Sequence, residues 1–287
     1  MPGRVKSMEA EYRLRCTALK EKLLSAEDAA LLIEDGMTVA VSGFTPAGCP
    51  KAVPLALAEQ VRSGGRRLKL TLLSGASTGE ELDSEWASLG IIARRAPYMT
   101  SKALRAAVNG AAGHEIAYSD LHLGEFAQNA RYGFYGPVHV ALIEAAAITG
   151  DGGIVPTTAL GCSQTWIDLA EKVIVELNLR QPAELEGFHD IYRLQDPPRR
   201  EAIPLTHVGQ RIGSTLLRCP QEKIAAIVLS ECEEKPRPLP AADAVSEEIA
   251  RNIVRFLLQE KEAGRLSADR CRCSPASARW QTQCCLG

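Results

Sequence analysis

Apolar and polar positions fall into short blocks whose period switches repeatedly between helix and strand. Ser25 caps a helix from Ala26 to about Ile33, with Ala29, Leu32 and Ile33 on its apolar face, and Asp35-Gly36 then turns the chain. Thr38 to Val41 is β-branched and apolar, as a buried strand requires. Ala52 to Arg62 returns to a helical period and ends at Ser63-Gly64-Gly65. Leu68 to Leu73 reads as the next strand and closes on a loop of small residues, Ser74 to Gly79. Further on, the pattern predicts a helix over Ser101 to Asn109 and strands over Val138 to Glu144 and Ile154 to Thr158. A helix entry follows at Gly161-Cys162-Ser163, ahead of Trp166 to Ala170. Lys172 to Asn178 reads as a buried strand carrying one glutamate, Lys223 to Leu229 as another strand, and Val245 to Lys261 as an amphipathic helix with Ile249, Ile253, Phe256 and Leu257 on one face. This alternation implies an α/β fold with an open, mostly parallel sheet and flanking helices, in which ligands sit at the carboxyl ends of the strands.

The stretch from Asp35 to Lys51 stands out because one strand delivers a glycine-bounded loop, Gly43 to Gly48, to the start of a helix. Pro50 fits a first helical turn, and the junction aims backbone N–H groups at the space above the strand, where an anion or a developing oxyanion could sit. The alternative is a plain turn using glycine for positive φ. The spacing matches neither a dinucleotide fingerprint nor a Walker loop.

Composition narrows the classes. The chain has 287 residues, a net charge of −2, 24% charged and 46% hydrophobic residues, enough for a sizeable core in one or two domains. Near-neutral charge argues against nucleic acid as the main partner, and no apolar run approaches the ~20 residues of a membrane span. The first 20 residues are charged and lack a secretion signal, so a cytoplasmic location is expected. Of nine cysteines, Cys16, Cys49, Cys162, Cys219 and Cys232 are scattered like isolated thiols, while Cys271, Cys273, Cys284 and Cys285 crowd the end. Neither the histidines nor the cysteines have zinc-ligand spacing, and no metal is expected. Asp120 and His122 could pair as acid and base, but two residues apart on a strand they more simply share a solvated face. Cys162 lies at a helix entry without a partner histidine.

The run Asp35-Gly36 to Pro50, read as Asp-Gly, apolar residues, Ser42-Gly43-Phe44-Thr45-Pro46-Ala47-Gly48 and then Pro50, resembles the N-terminal signature of class I coenzyme A transferases. Ser42 replaces the first glycine of the usual pair, as in the acetyl-CoA hydrolase/transferase branch. The likeness extends from about Leu24 to Leu266 through Gly75 to Gly79, Ala96 to Thr100, Tyr118 to Leu123, Asp151 to Thr158, Lys172 to Asn178 and Arg211 to Gly213, with a small insertion at Gly110 to His114. Within the family it is nearest to the bacterial succinyl-CoA:acetate, or succinyl-CoA:coenzyme A, transferases.

That resemblance implies the NagB/RpiA-like N-terminal domain of a CoA-transferase over residues 1–222 and the start of a second domain over 223–266. It implies CoA exchange between an acyl-CoA, succinyl-CoA or acetyl-CoA, and a small carboxylate, acetate or succinate, with possible side hydrolysis. A glutamate would carry the acyl group as an anhydride and CoA as a thioester. Coenzyme A is then a substrate, no cofactor is tightly bound, and the enzyme is a homodimer. Ser42, Gly43, Phe44, Thr45, Pro46, Ala47 and Gly48 would line the acyl and carboxylate end of the pocket.

The family's nucleophilic glutamate follows a Gln-Ser-Gly-Val-Gly-Ser-Val-Ala-Asn-Ala-Val-Leu type segment that this chain does not show. Residues 267–287 are rich in Arg, Ser and Cys and have no apolar period. A frameshift accounts for them. With Trp280 TGG, Gln281 CAA, Thr282 ACG, Gln283 CAG and Cys284 and Cys285 TGC, reading one nucleotide earlier gives Val-Ala-Asn-Ala-Val-Leu, provided Arg279 ends in G. The chain alone is then expected to be inactive. Three alternatives stand beside this reading: a Cys-rich metal-binding tail, which has poor ligand spacing; a non-catalytic partner subunit of a split transferase; and a nicotinamide-dependent enzyme, for which no fingerprint follows any strand.

Overall fold

The computed structural model describes residues 2–110, 113, 115–235 and 240–266, which leaves the 267–287 tail and part of the Gly110 to His114 insertion outside the described residues. The chain forms two compact units, Met1–Lys235 and Pro236–Gly287. In order, the first contains α1 (Pro2–Arg13), α2 (Ala26–Leu31), β1 (Thr38–Val41), α3 (Ala52–Arg62), β2 (Leu70–Ser74), α4 (Asp83–Ser88), β3 (Ile92–Ala96), α5 (Lys102–Val108) and β4 (Ala117–Tyr118). It continues through α6 (Leu123–Arg131), β5 (Val138–Ile148), β6 (Ile154–Pro156), α7 (Ser163–Leu169), β7 (Ala170–Asn178) and β8 (Ile224–Ser230), and the second unit holds α8 (Ala244–Glu262).

The strands form one sheet in the order β4-β3-β2-β1-β5-β7-β8, all parallel along this path, with β6 antiparallel against β5. Strand β1 runs between β2 and β5, and the order departs from it in both directions. The carboxyl ends of β1 and β5 therefore frame a topological switch point, the place where such sheets leave a crevice.

Two apolar layers cover the sheet, as strand periodicity dictates. Val39 and Val41 of β1, Val140 and Leu142 of β5 and Ile174 of β7 pack with Val53 and Leu57 of α3, Trp86 of α4 and Leu104 of α5. On the other face Ala40, Ala141, Ile143, Val173 and Val175 pack with Phe126 of α6 and with Trp166 and Ile167 of α7. Ser25 caps α2 as the sequence predicts, accepting from Asp28 N–H, and the structure adds Ser101, which accepts from Leu104 N–H, and Asp243, which accepts from Ser246 N–H. The β8 edge is partly closed by the segment entering α2, where Leu24 N–H donates to Ile227 O at 3.0 Å.

Differences from the sequence pattern have local causes. Helix α3 begins at Ala52, so Pro54, not Pro50, occupies its first turn. Strand β5 runs on to Ile148 because Ala145, Ala146 and Ala147 are all buried, which conceals any alternation. Helix α6 lies in a stretch for which the pattern predicts no element, yet Phe126 and Ala130, one turn apart, are its buried face. Strand β8 hydrogen-bonds along β7, and the first compact unit continues through Lys235. Among the described residues no helix is long and apolar enough to cross a membrane.

Helix α6 supplies a test of the second layer. Phe126 is fully buried and meets Tyr135 and Trp166 edge to face at centroid distances of 5.1 and 5.4 Å. Phe126→Ala is expected to cost about 3–5 kcal/mol in urea denaturation, while Phe188→Ala, at an exposed ring, stays within about 0.5 kcal/mol. Equal effects of the two changes would mean that α6 does not hold this layer.

Candidate functional site

The loop after β1 sits at the switch point and is bent back on itself. Phe44 N–H donates to Ala47 O at 3.0 Å and Ala47 N–H to Phe44 O at 3.3 Å, which closes a tight turn with Thr45-Pro46 at its tip. Thr45 adopts φ 56°, a left-handed conformation that costs a β-branched residue about 1–2 kcal/mol and persists only where surrounding contacts impose it. Ser42 is buried below the turn. Its hydroxyl donates to Gly48 O at 2.9 Å and accepts from Glu144 N–H at 2.8 Å, joining both ends of the loop to β5.

Three glycines allow three loops to meet backbone on backbone. A Cβ built on Gly161 would lie 2.4 Å from Gly43 O, and one on Gly75 would lie 3.0 Å from the same oxygen and 3.2 Å from Cys162 N. Gly161 also has φ 53°, and Gly48 (φ 66°) rests on Ala159, whose O lies 2.7 Å from a built Cβ. The loops after β1, β2 and β6 therefore form one rigid floor.

Below this floor lies a buried charge cluster. The Lys51 ammonium meets Glu144 Oε1 at 2.7 Å and Cys49 O at 2.7 Å, with the two side chains 2% and 0% exposed. Glu144 also accepts from Asn178 Nδ2 at 2.8 Å and from the Thr157 hydroxyl at 3.0 Å. Burial presses Lys51 towards neutrality, but Glu144, Cys49 and Glu176 outweigh it and hold its pKa above the ordinary 10.5. Burial also pushes the Glu144 carboxyl above its ordinary 4.5, against the pull of Lys51 and Asn178.

Glu176 corrects the expectation of an anion site at the head of α3. Its Oε1 accepts from Lys51 N–H at 3.0 Å and Ala52 N–H at 3.0 Å, and its Oε2 from Lys51 N–H at 3.1 Å and Val53 N–H at 3.2 Å. A carboxylate of the protein itself, fully buried on β7, thus occupies that helix N-terminus. The Gly48 N–H is likewise taken, by Glu234 at 2.7 Å. Among the described residues, the backbone N–H groups of Gly43, Thr45 and Cys49 take no hydrogen bond, so the donors left to the loop lie there.

The loop residues singled out from sequence are thus brought together, with Ser42 buried as a strut and Phe44 45% exposed at the surface. The other candidates are not. Asp120 accepts from the neighbouring Leu121 N–H, and His122 stands exposed ahead of α6. Burial pushes the Cys162 thiol to about 11 and the Cys49 thiol to about 12, which makes both poor nucleophiles. No group of three or more metal-ligating side chains occurs among the described residues. Lys51, Asn178 and Glu234 were missed, whereas Glu144 and Glu176 stand out in the sequence as the glutamates carried on predicted strands. A separate cleft of about 480 Å³, between α6, α7 and the segment around Tyr192, is lined by Arg131, Arg193 and Arg200. Aspartates 168 and 196 pair these arginines.

Comparison with known proteins places this geometry. Residues 7–217 match the acetyl-CoA hydrolase/transferase N-terminal domain. The chain is 47% identical over 256 residues to a succinyl-CoA:acetate CoA-transferase of Clostridium kluyveri, covering 89% of this chain and 47% of that protein. It is 37% identical to a propanoyl-CoA:succinate CoA transferase of Escherichia coli, covering 85% and 49%, and 36% identical to an acetyl-CoA hydrolase of Candida albicans, covering 90% and 50%. It thus spans about half the length of these relatives. RipA from Yersinia pestis shares the fold at a TM-score of 0.58 and 16% identity, over 87% of this chain and 49% of RipA.

Two stability measurements test the site. Lys51→Met strands the Glu144 carboxyl and Glu144→Gln strands the Lys51 ammonium, so each is expected to cost about 3–5 kcal/mol, whereas the double change costs less than the sum. Lys51, whose pKa is raised on folding, contributes stability that is full below 10.5 and is lost as pH rises through its folded value; Lys51→Met should remove that alkaline decline. Additive single costs would show that the pair is not coupled. Separately, Gly161→Ala must move Gly43 and should cost about 2 kcal/mol more than Gly64→Ala, a positive-φ glycine with nothing within 4 Å of a built Cβ. A cost matching that of Gly64→Ala would show that the loops do not touch.

Proposed function

The chain belongs to the acetyl-CoA hydrolase/transferase family, a family of CoA-transferases and acetyl-CoA hydrolases, and from that premise we propose that it provides the acyl and carboxylate end of a CoA-transfer site. The substrates are an acyl-CoA, succinyl-CoA or acetyl-CoA, and a small carboxylate, acetate or succinate. The observation that carries this reading is the Ser42–Gly48 loop, held rigid at the switch point with free backbone N–H groups at Gly43, Thr45 and Cys49.

The chemistry is nucleophilic. A glutamate carboxylate adds to the thioester carbonyl and expels CoA thiolate, giving an acyl-glutamyl anhydride. The thiolate then adds to the glutamyl carbonyl and releases the first carboxylate, leaving CoA on the glutamate as a thioester. The second carboxylate reverses both steps. Each addition builds an oxyanion, which pre-aimed N–H donors stabilise without reorganisation, and water must be kept out, because hydrolysis of the anhydride or thioester converts transfer into acyl-CoA hydrolysis.

Neither buried glutamate of the site suits the nucleophile's role. Glu144 is engaged by Lys51, Asn178 and Thr157, and Glu176 by three N–H groups of α3. In this proposal the nucleophile lies outside residues 1–287 and the tail is read out of frame, so that the working enzyme unites this chain's loops with the remaining half of the family architecture. A second reading, a loop-bearing subunit joined by another polypeptide, draws on the compactness of the first unit and its two covering layers.

One experiment addresses the proposal and its second reading. The purified chain, incubated with succinyl-CoA and acetate, is expected to form no acetyl-CoA and no hydroxylamine-sensitive adduct. Adding the half of the Clostridium kluyveri relative that this chain does not match is expected to restore transfer. Resequencing codons 260–290 then separates the two readings: a second frame that continues Val-Ala-Asn-Ala-Val-Leu supports the frameshift, and its absence supports a partner subunit. Transfer by the chain alone, lost on Glu144→Gln or Glu176→Gln, would place the nucleophile inside this domain and overturn the assignment.

A further inference from the structure

Three hydrogen-bond donors from three different loops converge on one oxygen beside the transfer loop. Gly48 N–H, after β1, lies 2.7 Å from Glu234 Oε1; the Thr158 hydroxyl, after β6, also lies at 2.7 Å; the Gln181 side-chain amide, after β7, lies at 3.0 Å. The backbones of two donor residues, Gly48 and Gln181, are fixed independently of Glu234. Gly48 is wedged on Ala159 and takes the Ser42 hydroxyl on its carbonyl. Gln181 is only 4% exposed, and its backbone donates to Asn178 O and accepts from the buried Arg13.

Such a trio suits the negative charge of a carboxylate, and hydrogen bonds to an ionised acceptor are about twice as strong as neutral ones. Glu234 itself comes from outside the regular elements. It is half-buried and sits on the extended segment that follows β8, tied down at its neighbours: Cys232 O accepts from Asn178 Nδ2 at 2.7 Å, Glu233 faces Arg180 at 3.3 Å and Lys235 pairs with Glu81 at 2.9 Å. These ties hold the Glu234 carboxylate near the donors at a high effective concentration.

We propose that Gly48 N–H, the Thr158 hydroxyl and the Gln181 amide form a subsite for a short aliphatic carboxylate, and that Glu234 fills it in the resting protein as an internal stand-in that the incoming carboxylate displaces. The proposal deepens the transfer reading, from which it takes the class of ligand. Displacement works by competition: the apparent affinity for the free acid is reduced by the fraction of molecules in which Glu234 occupies the donors, and withdrawing Glu234 restores it. Because the Gly48 N–H belongs to the transfer loop, the same exchange passes that donor from the protein's own carboxylate to the substrate's.

The test titrates the 287-residue chain with sodium acetate at constant ionic strength, following amide shifts by NMR. Removing the internal competitor with Glu234→Ala should tighten acetate binding by about tenfold or more. Gln181→Leu or Thr158→Val added to Glu234→Ala should take most of that gain away. Should the alanine variant not fold, Glu234→Gln, which keeps the shape and loses the charge, should tighten acetate binding by about threefold. Unchanged acetate affinity in the folded variants, with or without a fall in thermal stability, means that Glu234 is only a clasp and overturns the proposal, as does chloride matching the effect of acetate. Transfer by the reunited halves is scored apart. Transfer without a gain removes the subsite alone, and a gain without transfer removes the reading of the reaction while leaving the subsite.

Discussion

The first turn of α3 would leave three N–H groups pointing into the crevice between β1 and β5, and the Glu176 carboxylate closes it. Much of the site depends on that contact. A buried carboxylate is tolerable only when fully hydrogen-bonded, and Glu176 meets the condition by capping the helix that carries the transfer loop. Lys51 then follows from geometry. As the N-cap residue of α3 it is held by its own N–H on Glu176, and its ammonium turns down to Glu144 on the neighbouring strand. Two carboxylates on adjacent strands, in register at Glu144↔Glu176, thereby fix one loop from below.

This arrangement separates two tasks that a simpler loop would combine. Charge sits beneath the floor, where burial makes it strong and specific, and neutral backbone donors remain in the loop itself, where the proposed reaction, which passes through anions, needs hydrogen bonds already aimed. A free helix N-terminus in the crevice would hold any passing anion, including the product. With that N-terminus filled, the remaining donors are fewer and their direction is set by the Phe44–Ala47 turn. The left-handed Thr45 fits this account, because a strained turn persists only on a base that cannot relax.

The parts of this structure legible in the sequence are those that depend on local pattern. Thr38 to Val41 and Ala52 to Arg62 coincide with β1 and α3, since a β-branched run and a helical period were each bounded by glycine. Helix α6 was hidden by its composition: one phenylalanine and one alanine make its buried face, and Glu125, Gln128, Asn129 and Arg131 dominate the rest. Strand β3 was hidden by Arg94 and Arg95, which look like surface residues until Asp83 is found against Arg95 in the interior. The site divides in the same way. Its loop was readable because glycine spacing is a covalent fact of the chain, whereas Lys51, Glu144 and Asn178 meet only through the sheet order, which pairs residues 93 and 34 positions apart.

Glu234 extends this logic from the floor to the crevice. It comes from a segment without regular structure, and the half-buried carboxylate it presents is the same chemical group that the proposed reaction requires. If the proposed carboxylate subsite is right, the protein gains from keeping its donors occupied in the meantime, because an unpaired N–H, hydroxyl and amide together would cost several kcal/mol in a partly dry site. An internal carboxylate removes that cost in the resting state and returns it as a penalty on binding. The exchange is nearly balanced, one carboxylate for another. That balance suits the proposed transfer, in which donor and acceptor acids would each enter and leave the same place.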